Sequence, residues 1–133
     1  MFTIEQIHQA FKKVKSGSDF PQFVQDLKKI GITHYDNFVS DGRTKYYGKT
    51  NFTLDGEAKY SEIKVNNTSA YEDLKHAISI HQNGQTNYPT FCKQAAEAGV
   101  EKWTTHMIEM TVTYFDKKGH KLIVEPIPEI KQS

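Results

Sequence analysis

Asp19-Phe20-Pro21-Gln22-Phe23 and Asn87-Tyr88-Pro89-Thr90-Phe91 stand 68 positions apart and carry the same chemistry in the same order. Each runs from an Asp or Asn through an aromatic, a proline and one polar position to a phenylalanine. The same offset sets Gly31-Ile32 on Gly99-Val100, Tyr35 on Trp103, Tyr46-Tyr47 on Tyr114-Phe115 and Leu54 on Leu122. Upstream, Ile4, Ile7, Phe11 and Val14 match Tyr71, Leu74, Ile78 and His81 at an offset one shorter, which a single loop residue accounts for. A match held over this distance reads as a duplicated unit. A hairpin with one apolar face is marginal alone and gains stability by packing against a second copy.

The elements follow on either side. Thr3 and Gln6 have the form of a capping box, and the apolar spacing from Ile4 to Val14 predicts a helix over about 3–15. Ser16-Gly17-Ser18 breaks it. Asp19 then caps a second helix, with Pro21 in the first turn where a missing N–H costs nothing, and Gly31 closes it as a left-handed cap. From Ile32 to Val65 β-branched and aromatic residues alternate with turn signals at Asp41-Gly42, Gly48 and Asp55-Gly56. They predict strands near 32–39, 43–48, 51–54 and 58–65. Asn66-Asn67-Thr68 is expected to cap a third helix, faced by Tyr71, Leu74 and Ile78 and ended by Asn83-Gly84. A fourth helix is predicted over 89–98 with Gly99 as its cap. Residues 103–115 read as one half-buried strand, with His106, Ile108, Met110, Val112 and Tyr114 on one face and Thr105, Glu109, Thr111 and Thr113 on the other. Asp116-Lys117-Lys118-Gly119 turns it into a partner near 120–125, and Pro126 and Pro128 end the regular structure. The expected fold is a single α+β domain made of a duplicated helix-helix-strand-strand unit. Its repeats are about 1–66 and 67–128, with a short tail over 129–133. They would form a mainly antiparallel sheet with about four helices packed on one side.

Composition narrows the function classes. The chain has 133 residues, enough for one core without disulfide or metal staples. Lys plus Arg is 17 against 16 for Asp plus Glu, so bulk charge draws it to neither nucleic acid nor anionic lipid. Mean hydropathy is −0.66, and no run approaches the roughly 18 apolar residues of a membrane helix. The start Met1-Phe2-Thr3-Ile4-Glu5 lacks the basic head and apolar block of a secretory signal, which makes the cytoplasm the expected compartment. Cys92 is the single cysteine, excluding an internal disulfide and a cysteine zinc cluster. Arg43 is the one arginine, a modest argument against planar phosphate or guanine readout.

The side chains that carry chemistry give no catalytic constellation. Six histidines, His8, His34, His76, His81, His106 and His120, include no pair at the i, i+4 spacing of a zinc helix. There is no Gly-x-Ser-x-Gly elbow and no glycine-rich phosphate loop. No metal and no cofactor are expected. Cys92 falls in the first turns of the fourth helix, where the macrodipole favours a thiolate, but beside Phe91, Ala95 and Ala96 it reads as a small packed side chain. A seam between the repeats could gather Cys92, Trp103, His106 and His34 into a ligand site. Arg43-Thr44-Lys45-Tyr46-Tyr47 interleaves cations with aromatics, the pattern of a single-strand nucleic-acid platform, and sets Arg43, Lys45, Tyr46 and Tyr47 as a second candidate. Asp41-Gly42-Arg43 reads as a plain turn.

Tyr88-Pro89-Thr90-Phe91-Cys92, Ala95-Ala96-Glu97-Ala98-Gly99-Val100-Glu101-Lys102-Trp103, Met110-Thr111-x-Thr113-Tyr114-Phe115-Asp116-x-x-Gly119 and Val124-Glu125-x-Ile127-Pro128 resemble the signature of the YdfO/YbcV-like family. These are small bacterial and prophage-borne proteins of unknown function, often labelled phage envelope proteins. The resemblance covers nearly the whole chain. It implies a small α+β domain and brings no activity or catalytic residues. An acid often stands there at the position of His106 and a second cysteine at that of Val112, so chemistry needing a thiol pair or a carboxylate at 106 does not carry over. The leading expectation is a non-enzymatic cytoplasmic binding or accessory protein, monomer or homodimer. It would offer a sheet face or the seam to another protein or a small ligand. A thiol-dependent site or small enzyme at Cys92, and single-stranded nucleic-acid binding, are the alternatives.

Overall fold

Thr3 Oγ1 accepts from the Gln6 N–H at 3.2 Å while Gln6 Oε1 accepts from the Thr3 N–H at 2.9 Å, and this capping box opens α1 (Ile4–Phe11). The computed structural model describes residues 1–15 and 19–128; the expected break at Ser16-Gly17-Ser18 and the tail 129–133 lie outside the described residues. The first helix is shorter than its apolar spacing predicts. Beyond Phe11 the ladder tightens to i−3 bonds, Lys13 N–H to Ala10 and Val14 N–H to Phe11, and Phe11 is 60% exposed. Pro21 sits in the first turn of α2 (Phe20–Lys29), and Gly31, at φ +102°, closes it. Then come β1 (Ile32–Phe38), β2 (Thr44–Gly48) and β3 (Thr53–Asp55).

The second half repeats the order with α3 (Tyr71–Gln82), α4 (Tyr88–Glu97), β4 (Val100–His106), β5 (Thr111–Asp116) and β6 (Lys121–Pro126). Asn87 caps α4 by accepting from the Thr90 N–H at 2.9 Å, and Gly99 ends it at φ +85°. Among the described residues the strands make one antiparallel sheet in the order β3-β2-β1-β4-β5-β6, so the two halves meet along β1 and β4. Asp36 lies opposite Thr104, its own partner under the repeat offset. The ring pairs obey the same relation: Tyr35 packs on Tyr46 at 5.6 Å and 48°, Trp103 on Tyr114 at 5.8 Å and 47°.

Three expectations are corrected. Residues 58–65 form no strand, because their backbone bonds go to the 40–41 turn instead: Lys59 N–H to Asp41 and Ile63 N–H to Ser40. Their apolar signal comes from Tyr60, Ile63 and Val65 packing on the core around Leu74, Phe91 and Trp103. Residues 103–115 are not one strand but β4 and β5, reversed through 107–110 with Met110 at φ +55°. The reversal resets the alternation, so Trp103 and Thr105 of β4 and Met107 just beyond it point towards the helices, and Val112 and Tyr114 do so in β5. Helix α3 starts one residue after Ala70, so Thr68 is not its cap; the Thr68 N–H bonds Asn66 Oδ1 at 3.3 Å instead.

The helices cover one face of the sheet. The first core, that of the first half, gathers Phe2, Ile7, Phe23, Leu27, Ile32 and Tyr35; the second, that of the second half, gathers Leu74, Ile78, Phe91, Ala95, Val100 and Trp103. Val39 from the first half is buried in the second core, and Met107, its counterpart under the repeat offset, is buried in the first. Among the described residues no helix is long and apolar enough to cross a membrane.

Candidate functional site

With the helices on one side, alternation along β1, β2, β4 and β5 turns His34, Asp36, Phe38, Lys45, Tyr47, Lys102, Thr104, His106 and Phe115 to the other. These side chains line up across the strands in rows. In the first, the Tyr47 ring stacks on His34 at 4.2 Å and 9°, and His34 lies parallel to His106 at 5.6 Å and 6°. In the third, the Arg43 guanidinium sits 4.1 Å above Phe38, and the Lys102 ammonium lies 6.0 Å from Phe38 and 5.5 Å from Phe115. Lys45 is 5.5 Å from the Tyr47 ring.

Asp36 holds the middle row and is 4% exposed. Three donors hold its carboxylate: Thr104 Oγ1 at 2.5 Å on Oδ1, and Tyr47 Oη at 3.2 Å and Lys102 Nζ at 3.3 Å on Oδ2. It joins the first row to the third, fixing a ring and a cation with one group. Burial and the nearby Asp36 charge push the Tyr47 phenol up. Burial holds the His34 imidazole below its usual value; Asp36 opposes this, while His106 and Lys102 reinforce it.

Hydrogen bonding also assigns the tautomers. Thr33 Oγ1 gives its single hydrogen to the Tyr47 carbonyl at 3.2 Å, so at 3.0 Å it accepts from His34 Nδ1–H. His106 is the reverse case: its Nδ1 accepts from the Glu109 N–H at 3.3 Å. Neutral His34 therefore keeps its lone pair on Nε2, and neutral His106 carries its hydrogen there.

The proposed seam site is divided by the sheet. His34 and His106 come together on the face away from the helices. Cys92 and Trp103 lie on the helix side, 1% and 8% exposed, Trp103 packed on Phe91 at 5.6 Å. Burial pushes the Cys92 thiol up, against the pull of the Tyr60 and Tyr88 hydroxyls and of Lys59, so it is a packed thiol rather than a thiolate. The nucleic-acid set also splits. Lys45 and Tyr47 share the open face, with Arg43 at its rim in an ion pair with Asp41 at 3.0 Å, but Tyr46 packs on Tyr35 on the helix side. A cleft of about 460 Å³ does open between the halves, lined by Ser40, Glu62, Lys64, Val65, Glu101 and Lys117, and none of the expected seam residues lines it. Among the described residues no three His, Cys, Asp or Glu side chains converge to hold a metal ion. Asp36, Phe38, Lys102, Thr104 and Phe115 were not among the expected site residues. For Asp36, Phe38, Lys102 and Thr104 the period-two spacing from His34 and His106 was the available signal; Phe115 lies beyond the 107–110 reversal and reaches this face by pairing with Lys102.

The model of a protein family described as a protein of unknown function, DUF1398, matches residues 8–126. The chain belongs to DUF1398. It is also 23% identical over 121 residues to the uncharacterised protein YcgX of Escherichia coli strain K12, covering 91% of this chain and 90% of that protein. Membership in DUF1398 brings no activity with it, and neither description speaks of a phage or an envelope.

Proposed function

We propose that this DUF1398 protein is a non-enzymatic binding protein whose working surface is the helix-free face of the sheet, and that its ligand is a small anion bearing a flat unsaturated group. The observation that carries this reading is the row of parallel rings Tyr47, His34 and His106, flanked by Lys45, Lys102 and Arg43. Rings and cations side by side suit a ligand that offers both a π-system and negative charge. Two nearby carboxylates, Asp36 and Asp41, are already bonded to cations of this face and repel such a ligand less than free ones would. The ligand is small because the rings stand against one another and against Arg43 and Lys102, leaving no run of free ring faces for successive bases. Single-stranded nucleic acid, through Arg43, Lys45 and Tyr47, is therefore the second reading. A thiol-dependent site at Cys92 has less support, since that sulfur is buried on the other side. Kinship with the YdfO/YbcV-like proteins within the family belongs to the same proposal and rests on the motifs between Tyr88 and Pro128.

The test is amide chemical-shift mapping of the full chain with benzoate and adenosine 5′-monophosphate as probes. The expected shifts cluster at His34, Tyr47, Lys102 and Thr104, and Tyr47→Ala weakens binding about tenfold, the worth of one lost ring contact. Shifts confined to Ser40, Glu101 and Lys117, or no response to either probe at millimolar concentration, would overturn the reading. Salt-sensitive binding of a labelled oligothymidylate at tighter affinity than either probe would replace it with the second.

A further inference from the structure

The turn 107–110 between β4 and β5 is held by an unusual acceptor. It reverses the chain within four residues, puts Met110 at φ +55°, and sends Met107 into the first core with no exposure at all. Its outer contacts are two backbone bonds, Met107 N–H to Thr33 at 3.0 Å and Ile127 N–H to Met110 at 2.8 Å, and one side-chain bond, Gln25 Nε2 to Met110 Sδ at 3.5 Å. Within the turn, the Glu109 N–H donates to the imidazole of His106. An imidazole nitrogen accepts only while it is unprotonated.

We propose that His106, stacked on His34, is an acid-sensitive latch: protonation of the pair releases the 107–110 turn at one end of the binding face. Adding a proton to His106 Nδ1 sets an N–H against the Glu109 N–H, two donors facing each other across 3.3 Å. His34 makes the change steeper. It lies parallel at 5.6 Å, so charging either ring raises the cost of charging the other. One neighbour opposes the change: from β1, the Asp36 carboxylate, held by three donors, has a charge that favours a proton on His34. The others do not: from β2 come Tyr47 and Lys45; from β4, Lys102, whose charge disfavours it; from the turn, the Glu109 side chain, exposed to solvent; and β5 presents Thr111, which does not titrate. The depressed affinity of His34 for a proton agrees with this balance. Releasing the turn frees the end of the ring row and loosens the hold on Met107. That this alters ligand capture rests on the open-face reading; the latch itself rests on the turn alone.

Amide hydrogen exchange and chemical shifts of the full chain between pH 8 and pH 5 test it. After correction for intrinsic rates, protection of the Glu109 amide should fall roughly three- to tenfold on acidification, the loss of one hydrogen bond in an opening equilibrium. His106→Asn supplies an amide oxygen that accepts without titrating, and there the protection should stay level; His106→Gln serves if that variant does not fold. His34→Gln should move the transition of the Glu109 amide to higher pH. A Glu109 amide that keeps its protection while the His106 imidazole titrates would overturn the latch, as would the same acid loss in His106→Asn. Silence of the benzoate and nucleotide probes would leave this outcome intact, and a level Glu109 amide would leave the binding outcome intact.

Discussion

Asp36 brings a carboxylate to a position 4% exposed, and what makes that tolerable is the number of donors around it. Cutting the side chain back in Asp36→Ala leaves the Thr104 and Tyr47 hydroxyls and the Lys102 ammonium without their acceptor at once. Lys102 is about one-third exposed and recovers some hydration, so the expected loss is about 2–4 kcal/mol by urea denaturation, without a change of fold. His34 acts in the opposite sense. Its pKa in the folded chain lies below the 6.5 of a free imidazole, so the unfolded chain takes up the proton first. Stability should therefore hold above pH 6.5 and fall as the pH drops below it. His34→Gln should show a smaller drop in urea midpoint between pH 8 and pH 5.5 than the parent chain. An identical drop in both would remove His34 from the account.

Helix ends show how one repeated signal takes on different weights. Gly31 and Gly99 both sit at positive φ after their helices, as the repeat demands. A Cβ on Gly31 would meet nothing within 4 Å, whereas one on Gly99 would lie 2.7 Å from the Thr68 carbonyl and 2.8 Å from Ser69 Cα. Gly31→Ala should thus cost only the left-handed backbone, about 1 kcal/mol. Gly99→Ala must also displace the chain leading into α3, and should cost at least about 2 kcal/mol more in thermal or urea unfolding. Equal costs would mean that the loop over Gly99 yields freely. The strands carry the complementary lesson. The alternation in 103–115 was legible, but its phase was not, because Met107 to Met110 reverse the chain and the reset of inward and outward positions follows the turn rather than the residue types.

At the scale of the molecule, each half closes the other's core. Met107 belongs to the second half and is buried in the first core, as Val39 of the first half is buried in the second. Met107→Ala should cost about 2–4 kcal/mol and shift the methyl resonances of Ile7, Leu27 and Ile32 more than those of Leu74 and Ile78. The reverse pattern would mean that each core is closed by its own half. Helix periodicity, the two prolines, the cap glycines and the repeat offset were all readable along the chain, because they depend on neighbours three, four or 68 positions away in one dimension. They determined an α+β chain with its pattern used twice. Which side of the sheet each strand residue faces depends on where the chain turns and on register between strands remote in sequence. Only the tertiary structure therefore parted Cys92 and Trp103 from His34 and His106, and brought Asp36 together with Tyr47, Lys102 and Thr104.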